Sequence, residues 1–171
     1  MRRVTIVGCI GAGKSTFALS LGRVLGLEVV HLDLIFLPPN GIKHVRKQRE
    51  AGLAAVFQRQ EFILEGAHRW TFAHRIAQCD TVIWLDIPPH RRLINILRRK
   101  YAREVPIGQH VDPSLARLRV STIPSPVQIL RDQFQDAALL QPVFDNPPDG
   151  LRVIRLRNLA QTRDFLDSLQ K

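Results

Sequence analysis

Short apolar runs alternate with amphipathic stretches along the whole chain. Residues 4–7 form an apolar run that stops at Gly8, the pattern of a strand buried in a parallel sheet. Residues 14–25 place Phe17, Leu21 and Leu25 at helical spacing, and Gly26 is a natural stop. Residues 28–32 read as a second strand, 38–41 (Pro-Pro-Asn-Gly) as a turn and 49–60 as a helix. Residues 61–64 and 81–85 read as the third and fourth strands. Pro88-Pro89 opens a helix expected to reach Arg103, with proline where a missing N–H costs nothing. Residues 104–126 are rich in proline, glycine and polar side chains and read as a loop or lid. A helix over 127–140, a turn over 146–150 and a fifth strand over 151–156 follow. Asn158 caps a last helix that ends near Leu169.

Strands that alternate with helices imply right-handed crossovers and a parallel sheet covered on both faces, an α/β three-layer sandwich. In such sheets ligands bind beyond the carboxyl ends of the strands, so the residues just after each strand are the ones that matter. No repeat, low-complexity tract or linker divides the 171 residues, and a hydrophobic fraction of 45% supports one core, so a single domain over 1–171 is expected.

One segment matches the phosphate-loop pattern G-x-x-x-x-G-K-S/T in full: Gly8-Cys9-Ile10-Gly11-Ala12-Gly13-Lys14-Ser15. It follows a predicted strand and opens a predicted helix, the context that the motif requires. Glycines at 8, 11 and 13 let the backbone, Ala12 included, wrap a phosphate where a Cβ would clash or forbid positive φ. The helix N-terminus adds partial positive charge. Lys14 then reaches the β- and γ-phosphates, the Ser15 hydroxyl ligates Mg²⁺, and Thr16 bonds the α-phosphate. ATP and Mg²⁺ are the expected cofactors.

Asp33, Glu65 and Asp86 sit where predicted strands end. Each has a plain alternative as a cap or turn residue; together they fall on the ligand-binding edge.

The phosphate loop, Val30-His31-Leu32-Asp33, Phe62-Ile63-Leu64-Glu65-Gly66 and Asp80-Thr81-Val82-Ile83-Trp84-Leu85-Asp86-Ile87-Pro88 together resemble adenylate-kinase-like enzymes. Within these, the chain is most similar to the bacterial group called DNA topology modulation proteins. The resemblance implies a five-stranded parallel sheet, an acceptor-binding segment at about 34–60 and an arginine-rich lid at about 98–126. It makes Glu65, in place of the usual Asp, the acid that holds Mg²⁺ through water, with Asp86 a second candidate or a structural residue. It makes Arg69 a grip on acceptor phosphate and Asp33 the group that orients or deprotonates an acceptor hydroxyl. Two positions depart from the pattern. Phe36 stands where an acceptor-binding arginine is expected, and Asn95 where an arginine stacks on the ATP base, leaving Arg98 as the substitute.

Arg91, Arg92, Arg98, Arg99, Lys100 and Arg103 crowd one predicted helix, with Arg117 and Arg119 beyond it. Arg99 and Arg103 are the candidates for closing over the γ-phosphate, against the plain reading of a solvated basic face. Arg75 reads as a lid contact or a surface salt bridge. The six histidines (31, 44, 68, 74, 90 and 110) lack metal-ligand spacing and read as structural or surface, with His31 near the acceptor. Phe36, Trp70 and Phe72 line an acceptor pocket or fill the core.

The net charge of +10 points to an anionic partner, either nucleotide phosphates or a nucleic-acid backbone. No apolar run is long enough to span a membrane, and the basic, apolar N-terminus reads as a strand, not a signal peptide. Cys9 and Cys79 are far apart without a Cys/His cluster, which suits a reducing cytosol. The expectation is therefore a cytoplasmic kinase that moves the γ-phosphoryl group of MgATP to a small molecule, with nucleosides or nucleotides leading. A nucleic-acid-associated NTPase is the alternative, although no helix-turn-helix or aromatic RNA-binding signature is present. A nucleotide-binding module without turnover is the third reading.

Overall fold

The computed structural model describes residues 1–36, 44–101 and 123–170. Five parallel strands, β1 (Arg3–Val7), β2 (Val29–His31), β3 (Phe62–Glu65), β4 (Thr81–Leu85) and β5 (Arg152–Leu156), form one sheet in the order β2-β3-β1-β4-β5. The helices are α1 (Lys14–Leu25), α2 (Leu32–Phe36), α3 (Arg46–Phe57), α4 (Phe72–Gln78), α5 (Pro89–Tyr101), α6 (Pro126–Asp145) and α7 (Leu159–Ser168), with a 3-10 turn at Arg69–Thr71.

The pleat sends alternate residues to opposite faces, and both faces are covered. On one, Val4, Ile6, Ile63 and Ile83 meet Phe17, Ala18 and Leu21 of α1, with Phe165 and Leu166 of α7 packed alongside. On the other, Val7, Val82 and Trp84 meet Phe72 of α4 and Leu140 of α6. Beside them Phe62 and Leu64 meet Leu32, Phe36, Leu53 and Val56 of α2 and α3. The register pairs Ile6 with Glu65 and Ile83, and His31 with Glu65. The carboxyl ends of the central strands are therefore level, and everything that follows them opens onto one edge.

Several boundaries differ from expectation for local reasons. The second strand stops at His31, and Leu32 already begins α2. Helix α3 starts at Arg46, three residues before the expected position, because the Gln48 side chain accepts the Val45 N–H at 3.0 Å. Residues 66–80, left unassigned above, hold the 3-10 turn and α4. Helix α6 continues to Asp145 through Pro142, whose carbonyl accepts the Asn146 N–H at 3.1 Å. Asn158 caps α7 as expected, accepting the Gln161 N–H at 2.9 Å. The turn over 38–41, most of the lid, His110 and the candidates Arg103, Arg117 and Arg119 lie outside the described residues.

Arg75 is neither a lid contact nor a surface ion pair. It is fully buried under the sheet, donating to Thr5 Oγ1 (2.7 Å) and to the carbonyls of Ile6 (2.7 Å), Gly66 (2.9 Å) and Leu64 (3.3 Å). Those carbonyls belong to the last turns of backbone before the phosphate loop and just around Glu65. Phe72 likewise belongs to the core.

Candidate active site

Between β1 and α1 the chain folds into a tight loop with Gly13 in the left-handed region (φ 85°) as the N-cap of α1. Only glycine adopts this conformation without strain. Gly11 is needed for a different reason. A Cβ there would lie 2.6 Å from the Arg92 carbonyl oxygen and 2.9 Å from Ile96 Cγ1, and one on Gly8 would lie 2.6 Å from the Leu85 carbonyl oxygen. These two glycines serve the packing of the loop against β4 and α5, whereas a Cβ on Gly13 would meet nothing within 4 Å. Gly11→Ala is therefore expected to lower the thermal midpoint more than Gly13→Ala. The added overpacking is ~1–3 kcal/mol, on top of the left-handed strain that both share. Equal midpoints for the two variants would show that α5 yields freely.

The loop is held from outside by residues the sequence did not single out for this. Arg92, one of the crowded arginines on α5, is buried and binds the carbonyls of Ile10 (3.1 Å) and Ile129 (3.1 Å) and Gln133 Oε1 (3.2 Å). Asn95 donates to the Gly11 carbonyl at 2.9 Å. The Cys9 thiol donates to Asp136 Oδ2 at 3.0 Å, and the other Asp136 oxygen takes Nε of Arg69. Burial, then the Asp136 charge, pushes the Cys9 thiol up to about 12, and burial pushes Cys79 up to about 12 as well. Both cysteines stay protonated at pH 8, so an alkylating reagent is expected to leave the native chain unlabelled while labelling two sites in urea. Stoichiometric labelling of the native protein, abolished by Cys9→Ser, would contradict this arrangement.

Lys14 is buried, with its ammonium 3.0 Å from the Cys9 carbonyl oxygen. Burial pulls its pKa down, and the nearby Glu65 and Asp33 charges oppose that pull. Ser15 Oγ donates to Glu65 Oε1 at 3.1 Å, and His31 Nδ1 meets the same oxygen at 2.6 Å. His31 is thus not a surface residue; it is buried and supports the acid at the end of β3. Ala12 is buried beside Cys9, and Thr16 is exposed on the first turn of α1.

Across from this cluster, Asp33 on α2 meets His68 Nε2 at 2.8 Å. The His68 hydrogen bond, reinforced by the charges of His68, Lys14 and Arg99, holds the Asp33 carboxyl below its usual range. Arg99 lies exposed on the last turn of α5 next to Arg98, with its charge felt at Asp33. Phe36 is buried, and the half-exposed Trp70 stacks on it at 5.4 Å between ring centres.

Two of the candidate residues are held by other side chains. Both Asp86 oxygens are engaged, Oδ2 by Arg155 (2.8 Å and 3.1 Å) and Oδ1 by Gln133 (3.3 Å). Asp86 therefore fits its structural alternative and leaves Glu65 as the acid beside Ser15. Arg69 is clamped by Asp136 and by the carbonyl (2.9 Å) and carboxylate (3.1 Å) of Asp132.

The donor set suits Mg²⁺. Among the described residues no group of three or more His, Cys, Asp or Glu side chains could cage a metal. The Ser15–Glu65 oxygen pair beside an anion-binding loop is what remains, and Mg²⁺ is commonly held by few protein oxygens, waters and substrate phosphates.

Solved structures bear on the fold that positions these residues. A shikimate kinase from Acinetobacter baumannii, in complex with shikimate, superposes with a TM-score of 0.61 at 19% identity, covering 99% of this chain and 90% of that one. A deoxyadenosine kinase from M. mycoides with bound dATP gives 0.56 at 12% identity, covering 98% and 99%. The chain has the P-loop kinase fold. A shikimate kinase from Bacteroides thetaiotaomicron gives 0.55 at 14% identity, covering 99% and 96%. No protein-family model matches the chain, and no curated protein matches it by sequence. These P-loop kinase neighbours act on small molecules, and the narrower resemblance to DNA topology modulation proteins is carried by the sequence segments alone. No described helix is long and apolar enough to cross a membrane.

Proposed function

We propose that this chain is a kinase that transfers the γ-phosphoryl group of MgATP to a hydroxyl of a small-molecule acceptor. The observation that carries the reading is the convergence of Lys14, the Ser15–Glu65 pair and the Asp33–His68 pair on one edge of the sheet. A phosphate loop alone would account for binding; an ionised carboxylate held opposite it accounts for an acceptor.

The loop amides from Gly8 to Gly13 and the start of α1 hold the β- and γ-phosphates, and Lys14 neutralises charge between them. Ser15 and Glu65 would hold Mg²⁺, which when bound would supply electrostatic stabilisation of the phosphoryl oxygens. Asp33 accepts a hydrogen bond from the acceptor hydroxyl. As the acceptor oxygen bonds to the γ-phosphorus, the bond from phosphorus to the β–γ bridging oxygen breaks and ADP leaves. The hydroxyl proton passes through the Asp33–His68 pair, both partly exposed, to solvent. Because Asp33 is held below its usual range it remains ionised near neutrality; its work is orientation more than proton abstraction. Arg99 approaches the transferred group, with Arg103 its partner and Arg98 the base-stacking residue. A single domain over 1–171, a helical acceptor segment at about 34–60, a lid at about 98–126 and a cytoplasmic setting belong to the same proposal.

The test is ADP release from MgATP against nucleosides, nucleoside monophosphates, cyclic polyols, hydroxy acids and duplex DNA, beside Lys14→Ala. Acceptor-dependent release that the variant loses is the expected result. Release stimulated by DNA alone would replace the kinase reading with a nucleic-acid-associated NTPase.

A further inference from the structure

We propose that the acceptor is a ring compound that offers a hydroxyl and carries no phosphate, an inference that rests on the phosphoryl-transfer reading of this same site. Three observations around the acceptor side lead there.

The first is the state of Arg69. Nε is bound to Asp136 Oδ1, and Nη2 is shared between the Asp132 carbonyl at 2.9 Å and its carboxylate at 3.1 Å. Asp136 is buried and bonded on its other oxygen to the Cys9 thiol, which burial keeps neutral. One guanidinium thus faces two carboxylates, with the Lys14 ammonium also near enough to feel the Asp136 charge. A phosphate approaching it, with a charge between −1.5 and −2, meets the two carboxylates and finds Nε and Nη2 of Arg69 already engaged. Releasing the arginine would leave a buried carboxylate without its cation, the costly way to break such a pair.

The second is the neighbour of that cluster. Trp70, directly after Arg69, is 41% exposed and stacks on the buried Phe36 at an interplanar angle of 24°. His68, directly before it, packs edge-on against Phe36 at 4.6 Å and holds Asp33. An exposed aromatic face backed by a second ring, with an ionised carboxylate at its margin, takes the flat or apolar face of a ring and a hydroxyl at its edge.

The third is Arg49. Its guanidinium lies 5.9 Å from the Phe36 ring centre, and its Nε is buried without a hydrogen-bond partner among the described residues. The platform therefore accommodates a nucleoside, a cyclic polyol or a cyclic hydroxy acid, and discriminates against their phosphate esters.

Trp70 provides a readout that does not depend on turnover, because the second tryptophan, Trp84, is buried at 1% exposure. The full chain, loaded with Mg²⁺ and a non-hydrolysable ATP analogue, is titrated with a nucleoside, a cyclic polyol, a cyclic hydroxy acid and the nucleoside's 5′-monophosphate. Trp70 emission is followed, and Trp70→Phe defines the background. At least one phosphate-free compound is expected to saturate the signal and to bind ~10-fold or more tightly than the monophosphate, a gap of one decade in Kd. Which compound does so identifies the source of the ring. Asp132→Asn, which removes the more exposed of the two carboxylates, is expected to improve monophosphate binding ~3-fold. Monophosphate binding as tight as that of the best phosphate-free compound overturns the inference, and so does a Trp70 signal that no phosphate-free compound moves. ADP release with ATP in the same samples keeps the two readings apart. Binding without release sinks the kinase proposal and leaves the acceptor class standing.

Discussion

Arg75→Met is expected to lower the thermal midpoint by about 10 °C. Four acceptors, Thr5 Oγ1 and the carbonyls of Ile6, Leu64 and Gly66, converge on this one buried guanidinium. Burial lowers its pKa to about 10, so it remains charged at neutral pH, stabilised by carbonyl oxygens and by no ion-paired carboxylate. Methionine fills similar space but donates nothing, and each buried acceptor left unpaired costs ~1–3 kcal/mol. Removing the charge also removes its desolvation cost, which offsets part of that, so ~3–5 kcal/mol is a reasonable net loss. At about 2–4 °C per kcal/mol for a chain of this size, the midpoint falls by roughly 6–20 °C. Arg75→Lys should recover only a little, because an ammonium cannot span carbonyls on two strands. A midpoint within about 3 °C of the parent protein, on the same scale, would show that water or backbone shifts replace the guanidinium readily.

Arg75 also illustrates what could be read from the sequence. The phosphate loop was legible because all its parts lie within eight consecutive residues, and its physics is local. The sheet was legible because buried parallel strands announce themselves as apolar runs, and the acids that follow them inherit their place from the strand ends. Glu65 and Asp33 were found that way. So was Asp86, which lies at the same edge but is held by Arg155. What was not legible is which polar side chains turn inward. Arg75 and Arg92 look like surface arginines on short amphipathic helices. Their direction is decided by carbonyls that need a donor, 69 residues away for Ile6 and 82 for Ile10. The Cys9–Asp136 bond spans 127 residues, and nothing in the spacing of either residue points to the other. Helix α2 and the His68–Asp33 pair were missed for the same reason: residues 66–80 carry no strong period, so the turn that brings His68 over α2 has no local signature.

Glu65→Gln tests the part of the site that both sequence and geometry single out. Glutamine keeps the shape of the side chain and can still bond Ser15 Oγ and His31, so the fold should survive with a small change in midpoint. What it loses is the charge beside Ser15, and with it the attraction for Mg²⁺ that the proposed role assigns to Glu65. Outer-shell changes of this kind cost ~10–100-fold in metal affinity or activity, and Glu65 belongs near the upper end because it is the acid nearest Ser15. The same substitution removes the largest charge that supports the buried Lys14 ammonium, and so lowers the Lys14 pKa further. The expected result is a loss of about 100-fold in kcat at fixed low Mg²⁺, partly recovered as Mg²⁺ is raised. His31→Gln, one bond further out, should lose about 10-fold with the same Mg²⁺ dependence. A purely structural role for Glu65 predicts the opposite pattern: a lower midpoint, kcat within about threefold of the parent, and no change in the Mg²⁺ requirement. Since Ser15 and His31 meet the same Glu65 oxygen, at 3.1 Å and 2.6 Å, the two variants should also be non-additive. Once Glu65 is neutral, His31 has no charge left to orient, and the double variant should be little worse than Glu65→Gln alone.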